Sequence, residues 1–220
     1  MSQSTLTFEF LPSYRREDFL VSPANEEAYH WITAWPEAWP SPVLNLYGSP
    51  GSGKTHLAHI WQEQSGAAWL EEARLGEAPA SALLAGQSAW IVEEPHLAGR
   101  ETPWFHLLNT VREEGKWLLI TSQNALSRQQ VRLSDLASRV AALPAIGLRD
   151  PDDSLLEAVF AKRFSDMQLK VSPDVVRFLL GRMERSFGEM EAIIKKLDRL
   201  SLMEKKNITL PLARKILETQ

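Results

Sequence analysis

Two stretches of the sequence carry residue types that could do chemistry together. The first is GSPGSGKT at 48–55, in which glycines and small residues lead into a lysine and a threonine. The second is AWIVEE at 89–94, in which a short apolar run ends in two adjacent carboxylates, Glu93 and Glu94. Successive backbone N–H groups of a glycine-rich loop can surround an anion, whereas carboxylates bind a cation or a water molecule.

The first stretch has the spacing of a phosphate-binding loop, G-x-x-x-x-G-K-[ST]. Strand-like VLNLY precedes it and helix-like KTHLAHIWQE follows, which is the setting that the motif requires. Lys54 would reach the β- and γ-phosphates of a nucleotide, and the Thr55 hydroxyl would bind Mg²⁺. A glycine-rich turn without a ligand is the less favoured alternative, because the match is rare by chance. The predicted nucleotide-binding residues of the loop are Gly48, Ser49, Pro50, Gly51, Ser52, Gly53, Lys54 and Thr55.

The carboxylates at the end of the second stretch have two readings. Both can be solvated loop residues, or they can be the acidic element that a phosphate-binding loop needs on a neighbouring strand. With the loop about 40 residues upstream, the second reading is favoured: Glu93 would face the metal, and Glu94 would orient the attacking water. An aspartate is expected at position 93. Because Mg²⁺ demands strict octahedral geometry, the longer Glu93 would bind it through water or weakly.

Two further polar positions are ambiguous from the sequence. WLLITSQN leaves Thr121 at a predicted strand end, where it could sense the γ-phosphate or simply belong to a turn. Arg139, in LASRVAAL, lies on an amphipathic helical pattern. It could form a surface ion pair, or it could reach the nucleotide of a neighbouring subunit as an arginine finger. The pattern leaves both alternatives open.

The hydrophobic pattern predicts an α/β fold, because short apolar runs alternate with helical patterns up to about residue 150. Beyond that point only helical patterns follow, with SPD at 172–174 and SFGE at 186–189 as helix starts. We therefore predict a nucleotide-binding domain at 13–150, with a parallel sheet flanked by helices, and a small helical lid domain at 151–220. The predicted strands are 43–47, 67–70, 89–92, 117–121 and 145–148.

Composition narrows the class of protein. The net charge of −4 argues against a protein whose main task is to grip duplex DNA, so we expect no direct sequence-specific DNA binding. The absence of cysteine excludes a disulfide framework and suits a reducing compartment. No apolar run is long enough for a membrane span, and the N-terminus lacks the pattern of a signal peptide. The sequence predicts a cytoplasmic protein without a membrane partner.

In this order, the elements resemble the replication-initiator branch of the AAA+ ATPases and, within it, the Hda family of short DnaA homologues. The resemblance implies ATP or ADP with Mg²⁺ as the cofactor, with Phe19 and His56 beside the nucleotide. It also implies that Arg139 is the arginine finger. The matching segments are 16–28, 48–60, 136–140 and 184–202.

The resemblance implies a function in trans. Hda-type regulators bind the DNA-loaded sliding clamp through an N-terminal glutamine-led peptide and promote hydrolysis of ATP bound to DnaA, which limits replication initiation. Within residues 1–12, Gln3, Leu6 and Phe8 sit where that peptide is expected, although Ser4 stands where the family prefers leucine. DnaA and the clamp are the implied partners, and self-association remains open.

The chain departs from the family pattern at the second sensor. The initiator has an arginine directly before E-x-E, whereas Gly188 stands there in this chain. Arg185 lies about one turn away and is the candidate nucleotide-binding residue that could replace it. With glutamate at position 93 as well, we expect nucleotide binding with slow hydrolysis by this chain itself. Two alternatives remain: an independent AAA+ ATPase or loader that uses Glu94, and a nucleotide-stabilised adaptor that does not hydrolyse ATP.

Overall fold

The structure, a computed structural model, describes residues 14–204 and 207–217. Its strands are β1 Val43–Tyr47, β2 Ala68–Trp69, β3 Ala89–Glu93, β4 Trp117–Ser122 and β5 Ala145–Gly147. Its α-helices are α1 Glu26–Thr33, α2 Lys54–Ser65, α3 Ala80–Leu83, α4 Glu101–Glu113, α5 Ser134–Ala141, α6 Asp153–Asp166, α7 Pro173–Leu180, α8 Phe187–Glu204 and α9 Leu210–Leu217. Short 3₁₀ helices lie at Arg16–Asp18, Glu72–Arg74 and Leu126–Arg128. No helix in these described ranges combines the length and apolar character needed to cross a membrane.

The five strands form one parallel sheet in the order β2-β3-β4-β1-β5. This confirms the predicted α/β fold, and each predicted strand is present within two residues at either end. The connection from β1 runs to the far edge, whereas the connection from β4 passes to the other side of β1. The carboxyl end of β1 therefore lies where the winding changes direction, which is where α/β sheets bind ligands.

Alternate residues of each strand point to opposite faces of the sheet and bury two hydrophobic layers. On one face, Leu44 and Ile91 pack with Trp61 of α2 and with α1. On the other, Ile120 packs with Trp104 of α4 and with α5. Both faces are covered, which explains why the strands read as continuous apolar runs rather than alternating ones.

The helices α6 to α9 bury a third cluster of their own, the core of the helical lid. The start of α7 matches the expectation in part, because Pro173 opens the helix after Ser172 but the Ser172 side chain makes no capping bond. Ser186 Oγ accepts a hydrogen bond of 3.1 Å from the Glu189 N–H, as a capping serine should. Asp152, which the sequence did not single out, caps α6 by accepting from the Leu155 N–H at 2.8 Å.

Asn45 is a fully buried polar residue on β1, just before the glycine-rich loop. Its amide nitrogen donates to the Ile120 carbonyl at 3.1 Å and to Ser122 Oγ at 2.8 Å. Its amide oxygen accepts from the Leu126 N–H at 2.9 Å. One side chain thereby ties the end of β1 to the end of β4 and to the segment that follows it.

We expect Asn45→Leu to lower the free energy of unfolding by roughly 2–4 kcal/mol, because the buried Leu126 N–H loses its acceptor and the Ile120 carbonyl and Ser122 Oγ lose a donor. Urea unfolding measures the loss. Asn109→Leu on α4 is the control, because Asn109 has a similar size and is not fully buried. Equal losses in the two variants would contradict a structural role for the Asn45 hydrogen bonds.

Candidate nucleotide-binding site

The glycine-rich loop connects β1 to α2 and holds a buried lysine. Gly51 and Gly53 have φ angles of +70° and +103°, a region that side chains other than glycine rarely adopt. The Lys54 side chain is only 7% exposed. Its Nζ donates to the carbonyls of Gly48 at 2.9 Å and Ser49 at 3.1 Å. The loop therefore holds the Lys54 ammonium against its own curved backbone, as a phosphate-binding site requires.

The two glutamates at the end of β3 contact different residues of the loop and α2. Glu93 Oε1 accepts a 2.8 Å hydrogen bond from Thr55 Oγ1. Glu94 Oε1 lies 3.2 Å from Lys54 Nζ. Glu94 also has a φ of +45°, a conformation that is uncommon outside glycine. The two adjacent carboxylates therefore have different partners. Glu93 contacts the Thr55 hydroxyl, and Glu94 contacts the Lys54 ammonium.

Thr55 and Glu93 fit the expected Mg²⁺ site in chemistry. A hydroxyl and a carboxylate oxygen 2.8 Å apart are hard oxygen donors of the kind that Mg²⁺ prefers. Within residues 14–204 and 207–217, no group of three His, Asp or Glu side chains could hold a metal. A bound Mg²⁺ would therefore take its remaining ligands from phosphate oxygens and water, which is its usual mode of binding.

Two buried hydroxyls beside the loop have no hydrogen-bond partner in the described part of the chain. They are Ser52 Oγ, within the loop, and Thr121 Oγ1, on β4 in register with Glu93. Buried hydroxyls are nearly always paired with protein, water or a bound group. The Thr121 backbone is used, since its carbonyl accepts from the Glu94 N–H at 2.8 Å. One unpaired hydroxyl lies in the glycine-rich loop and the other on the strand beside Glu93. Both are therefore next to the predicted position of the phosphates.

A cavity of about 390 Å³ opens beside the loop, between the sheet domain and the lid. The ring of Phe19 stands edge-on to that of His56, with centroids 5.2 Å apart, and stacks on Tyr29. His56 Nε2 lies 2.9 Å from the Arg15 carbonyl, so the ring carries a proton on that nitrogen. Burial lowers the pKa of His56, which favours a neutral ring at physiological pH. These aromatic groups form an apolar wall suited to a flat base.

The lid contacts the loop directly. A Cβ atom built on Gly51 would lie 2.5 Å from the Gly188 nitrogen, so the first turn of α8 rests on the loop with no side chain between them. Lys162 of α6 pairs with Asp18 at 2.6 Å, which joins the lid to the 3₁₀ helix before α1. Apolar residues of α8, including Met190 and Ile194, complete the cavity wall.

Two arginines are candidates from the sequence analysis, Arg185 for this chain's own nucleotide and Arg139 for the nucleotide of a neighbouring subunit. Arg185 forms a bidentate pair with Asp153, with Nε–Oδ1 and Nη2–Oδ2 distances of 2.7 and 3.0 Å. Arg139 lies on α5 with its guanidinium 5.0 Å from the centroid of the Phe105 ring. Neither is among the described residues that line the cavity. The structure therefore places Phe19, His56, Lys54 and Thr55 together, with Arg185 and Arg139 outside that group.

Sequence reasoning missed several lining residues. Asp18 and Lys162 carry no motif, and their pairing depends on the lid's position over the sheet domain. Tyr14, which stacks on His59 with centroids 4.3 Å apart, likewise had no distinguishing signal. The apolar face of α8 was visible in the sequence, but its pattern indicated only a helix core. Gln3, Leu6 and Phe8 lie outside the described residues.

Comparison with known proteins shows what this chain is similar to. The family model described as "Hda, lid domain" matches residues 152–217. The chromosomal replication initiator protein DnaA of Thermoanaerobacter sp. (strain X514) is 24% identical over 99% of this chain. Residues 152–217 are thus similar to an Hda lid domain, and nearly the whole chain is similar to DnaA at low identity. The chain spans about half the length of the DnaA relatives it matches, 55% of that initiator.

Solved structures share the fold. Domain III of DnaA from Thermotoga maritima superimposes with a TM-score of 0.78 at 20% identity, covering 95% of this chain and 97% of that domain. DnaA from Aquifex aeolicus, solved with AMPPCP bound, has a TM-score of 0.70 at 19% identity and covers 87% of this chain and 67% of that one. The AAA+ sheet and lid are therefore those of the DnaA fold.

The contact between Gly51 and Gly188 gives a test of lid packing. Gly51→Ala should destabilise the protein by more than the roughly 1–2 kcal/mol that a left-handed φ costs an L-residue, because the new Cβ meets the backbone of α8. Gly86→Ala is the matched control: its φ is +81°, and nothing lies within 4 Å of the added Cβ. Thermal unfolding and hydrogen exchange in the first turn of α8 measure the effect, and identical behaviour of the two variants would contradict rigid lid contact.

Proposed function

We propose that this chain is a nucleotide-binding regulator that limits replication initiation by promoting hydrolysis of ATP bound to DnaA, together with the DNA-loaded sliding clamp. The match of residues 152–217 to the Hda lid carries the proposal. The DnaA-related fold supports it, because AAA+ subunits complete one another's nucleotide sites at their interfaces. DnaA would then be the principal partner.

The position of Arg139 favours action in trans. The side chain is partly exposed on α5 and lies outside the nucleotide cavity of its own chain. An arginine that stabilises phosphoryl transfer can be supplied by a neighbouring subunit and can raise the rate by 10³ or more. We assign Arg139 this role at a DnaA-bound ATP.

The chain's own site would hold ATP or ADP with Mg²⁺ and hydrolyse ATP slowly. Lys54 would contact the phosphates, Thr55 and Glu93 the metal, and Phe19 and His56 the base. Glu94 is the group that could orient a water, and Thr121 could face the γ-phosphate. Slow turnover is expected because Gly188 stands at the sensor arginine position while Arg185 pairs with Asp153 outside the cavity lining, and because Glu93 stands where an aspartate is expected. The Aquifex initiator was solved with AMPPCP bound, which supports nucleotide binding by a chain of the same fold.

Arg139→Ala should abolish the stimulation of ATP hydrolysis by DnaA. The assay is single-turnover hydrolysis of labelled ATP preloaded on DnaA, with clamp, DNA and this chain added in turn. Arg128→Ala, an exposed arginine near the same segment, is the control and should keep the stimulation. Unchanged stimulation in Arg139→Ala would refute the finger assignment. Rapid hydrolysis by this chain alone would instead favour an independent ATPase.

The N-terminal peptide predicts a separable defect. The double variant Gln3→Ala, Leu6→Ala should lose retention on clamp-coated beads and lose clamp-dependent stimulation, while its nucleotide affinity stays unchanged. Ser2→Ala, Ser13→Ala is the double control, because both residues lie outside the motif at 3–8. Retention of the Gln3, Leu6 variant at the parental level would remove the clamp from the proposal.

A further inference from the structure

The loop after β3 is held by side chains from two distant segments, and this bears on Glu94. We propose that Glu72 and Gln129 are positioning residues that hold Glu94 beside Lys54 and thereby set how strongly the site distinguishes a nucleoside triphosphate from a diphosphate. The proposal rests on the nucleotide site proposed above. It concerns residues that carry no motif and that lie outside the cavity lining.

Glu72, from the 3₁₀ helix after β2, holds one side of the loop. Its two carboxylate oxygens accept from the His96 N–H at 3.0 and 3.1 Å. The same carboxylate accepts from Nε1 of the fully buried Trp104 at 2.9 Å, which fixes its orientation. Arg100 anchors the backbone of this 3₁₀ helix by donating to the Glu72 carbonyl at 2.9 Å.

Gln129, between Leu126–Arg128 and α5, holds the other side. Its Oε1 accepts from the Leu97 N–H at 3.1 Å, and its Nε2 donates to the Pro95 carbonyl at 3.1 Å. A single amide thus pairs with both an acceptor and a donor of the loop, which an ionised carboxylate could not do because it has no donor. Pro95 and Leu97 are themselves buried, and both bonds are partly shielded from solvent.

The residue restrained by these bonds is strained. Glu94 precedes the held segment directly and has a φ of +45°. Such a conformation persists only where the surroundings impose it, and such residues concentrate at functional sites. The Glu94 N–H is also fixed, donating to the Thr121 carbonyl at 2.8 Å. Glu72 and Gln129 are the side chains that impose the conformation from the other end.

The restraint has an electrostatic consequence. Glu94 Oε1 lies 3.2 Å from Lys54 Nζ, the cation that a phosphate-binding loop directs at the β- and γ-phosphates. A triphosphate brings additional negative charge to this end of the site and meets the Glu94 carboxylate there, whereas a diphosphate brings less. Loss of the restraint would let the carboxylate move away and would favour the triphosphate relative to the diphosphate.

The test is equilibrium binding of ADP and of AMPPCP to the full chain by calorimetry at constant Mg²⁺. Gln129→Ala should raise the affinity for AMPPCP relative to ADP by about three- to tenfold. Glu72→Gln should shift the ratio in the same direction. Gln130→Ala and Glu71→Gln are the matched controls, since each is an adjacent exposed residue of the same type, and both should leave the ratio unchanged.

A double-mutant cycle with Glu94→Ala identifies the mechanism. Glu94→Ala alone should shift the ratio at least as far, and adding Gln129→Ala should then have little further effect. An unchanged ratio in Gln129→Ala or in Glu94→Ala, in protein with a normal unfolding transition and intact ADP binding, overturns the proposal. That outcome leaves the regulatory function intact, because stimulation of DnaA is read in the separate hydrolysis assay. Failure of the parental chain to bind either nucleotide would defeat the nucleotide site itself.

Discussion

The structure around the candidate site depends on one buried cation. Lys54 begins α2 after the glycine-rich loop that follows β1, and its ammonium is almost wholly removed from water. Burying an unpaired charge is costly, so the surroundings must supply partners. Two carbonyls of the loop and the Glu94 carboxylate do so. The same interactions fix the loop's curvature and the position of β3 relative to β1.

The sheet supplies the precision that this arrangement needs. β4 lies between β1 and β3, so it sets the spacing between the loop and the two glutamates. Asn45 ties β1 to β4, and the Thr121 carbonyl ties β4 to Glu94. Each of these bonds is buried, and competition from water is therefore small. The loop and the acids meet because three neighbouring strands end at one edge in a fixed register.

The sequence predicted the parts of this site that depend on local pattern. The strands were visible because both faces of the sheet are buried, and the loop was visible because phosphate chemistry demands particular residues at particular spacings. The pairing of Glu94 with Lys54 and the bonds from Glu72 and Gln129 were not visible, because they join segments tens of residues apart through ordinary side chains. Arg185 was a candidate for the missing sensor arginine because the segment resembles the initiator's, and the sequence did not reveal that Asp153 pairs with it.

The contact between α8 and the glycine-rich loop couples movement of the lid to movement of the loop. With 18 residues at about 1.5 Å per residue, α8 is about 27 Å long. It contacts the loop near its first end, at Gly188. Because backbone meets backbone at this contact, no flexible side chain is available there to absorb a displacement of the loop. A tilt of a few degrees on nucleotide binding would move the far end by on the order of 2 Å. The helix ends near Leu202 and Met203, which are 69% and 71% exposed, so a small event at the phosphates would be amplified at an accessible apolar surface.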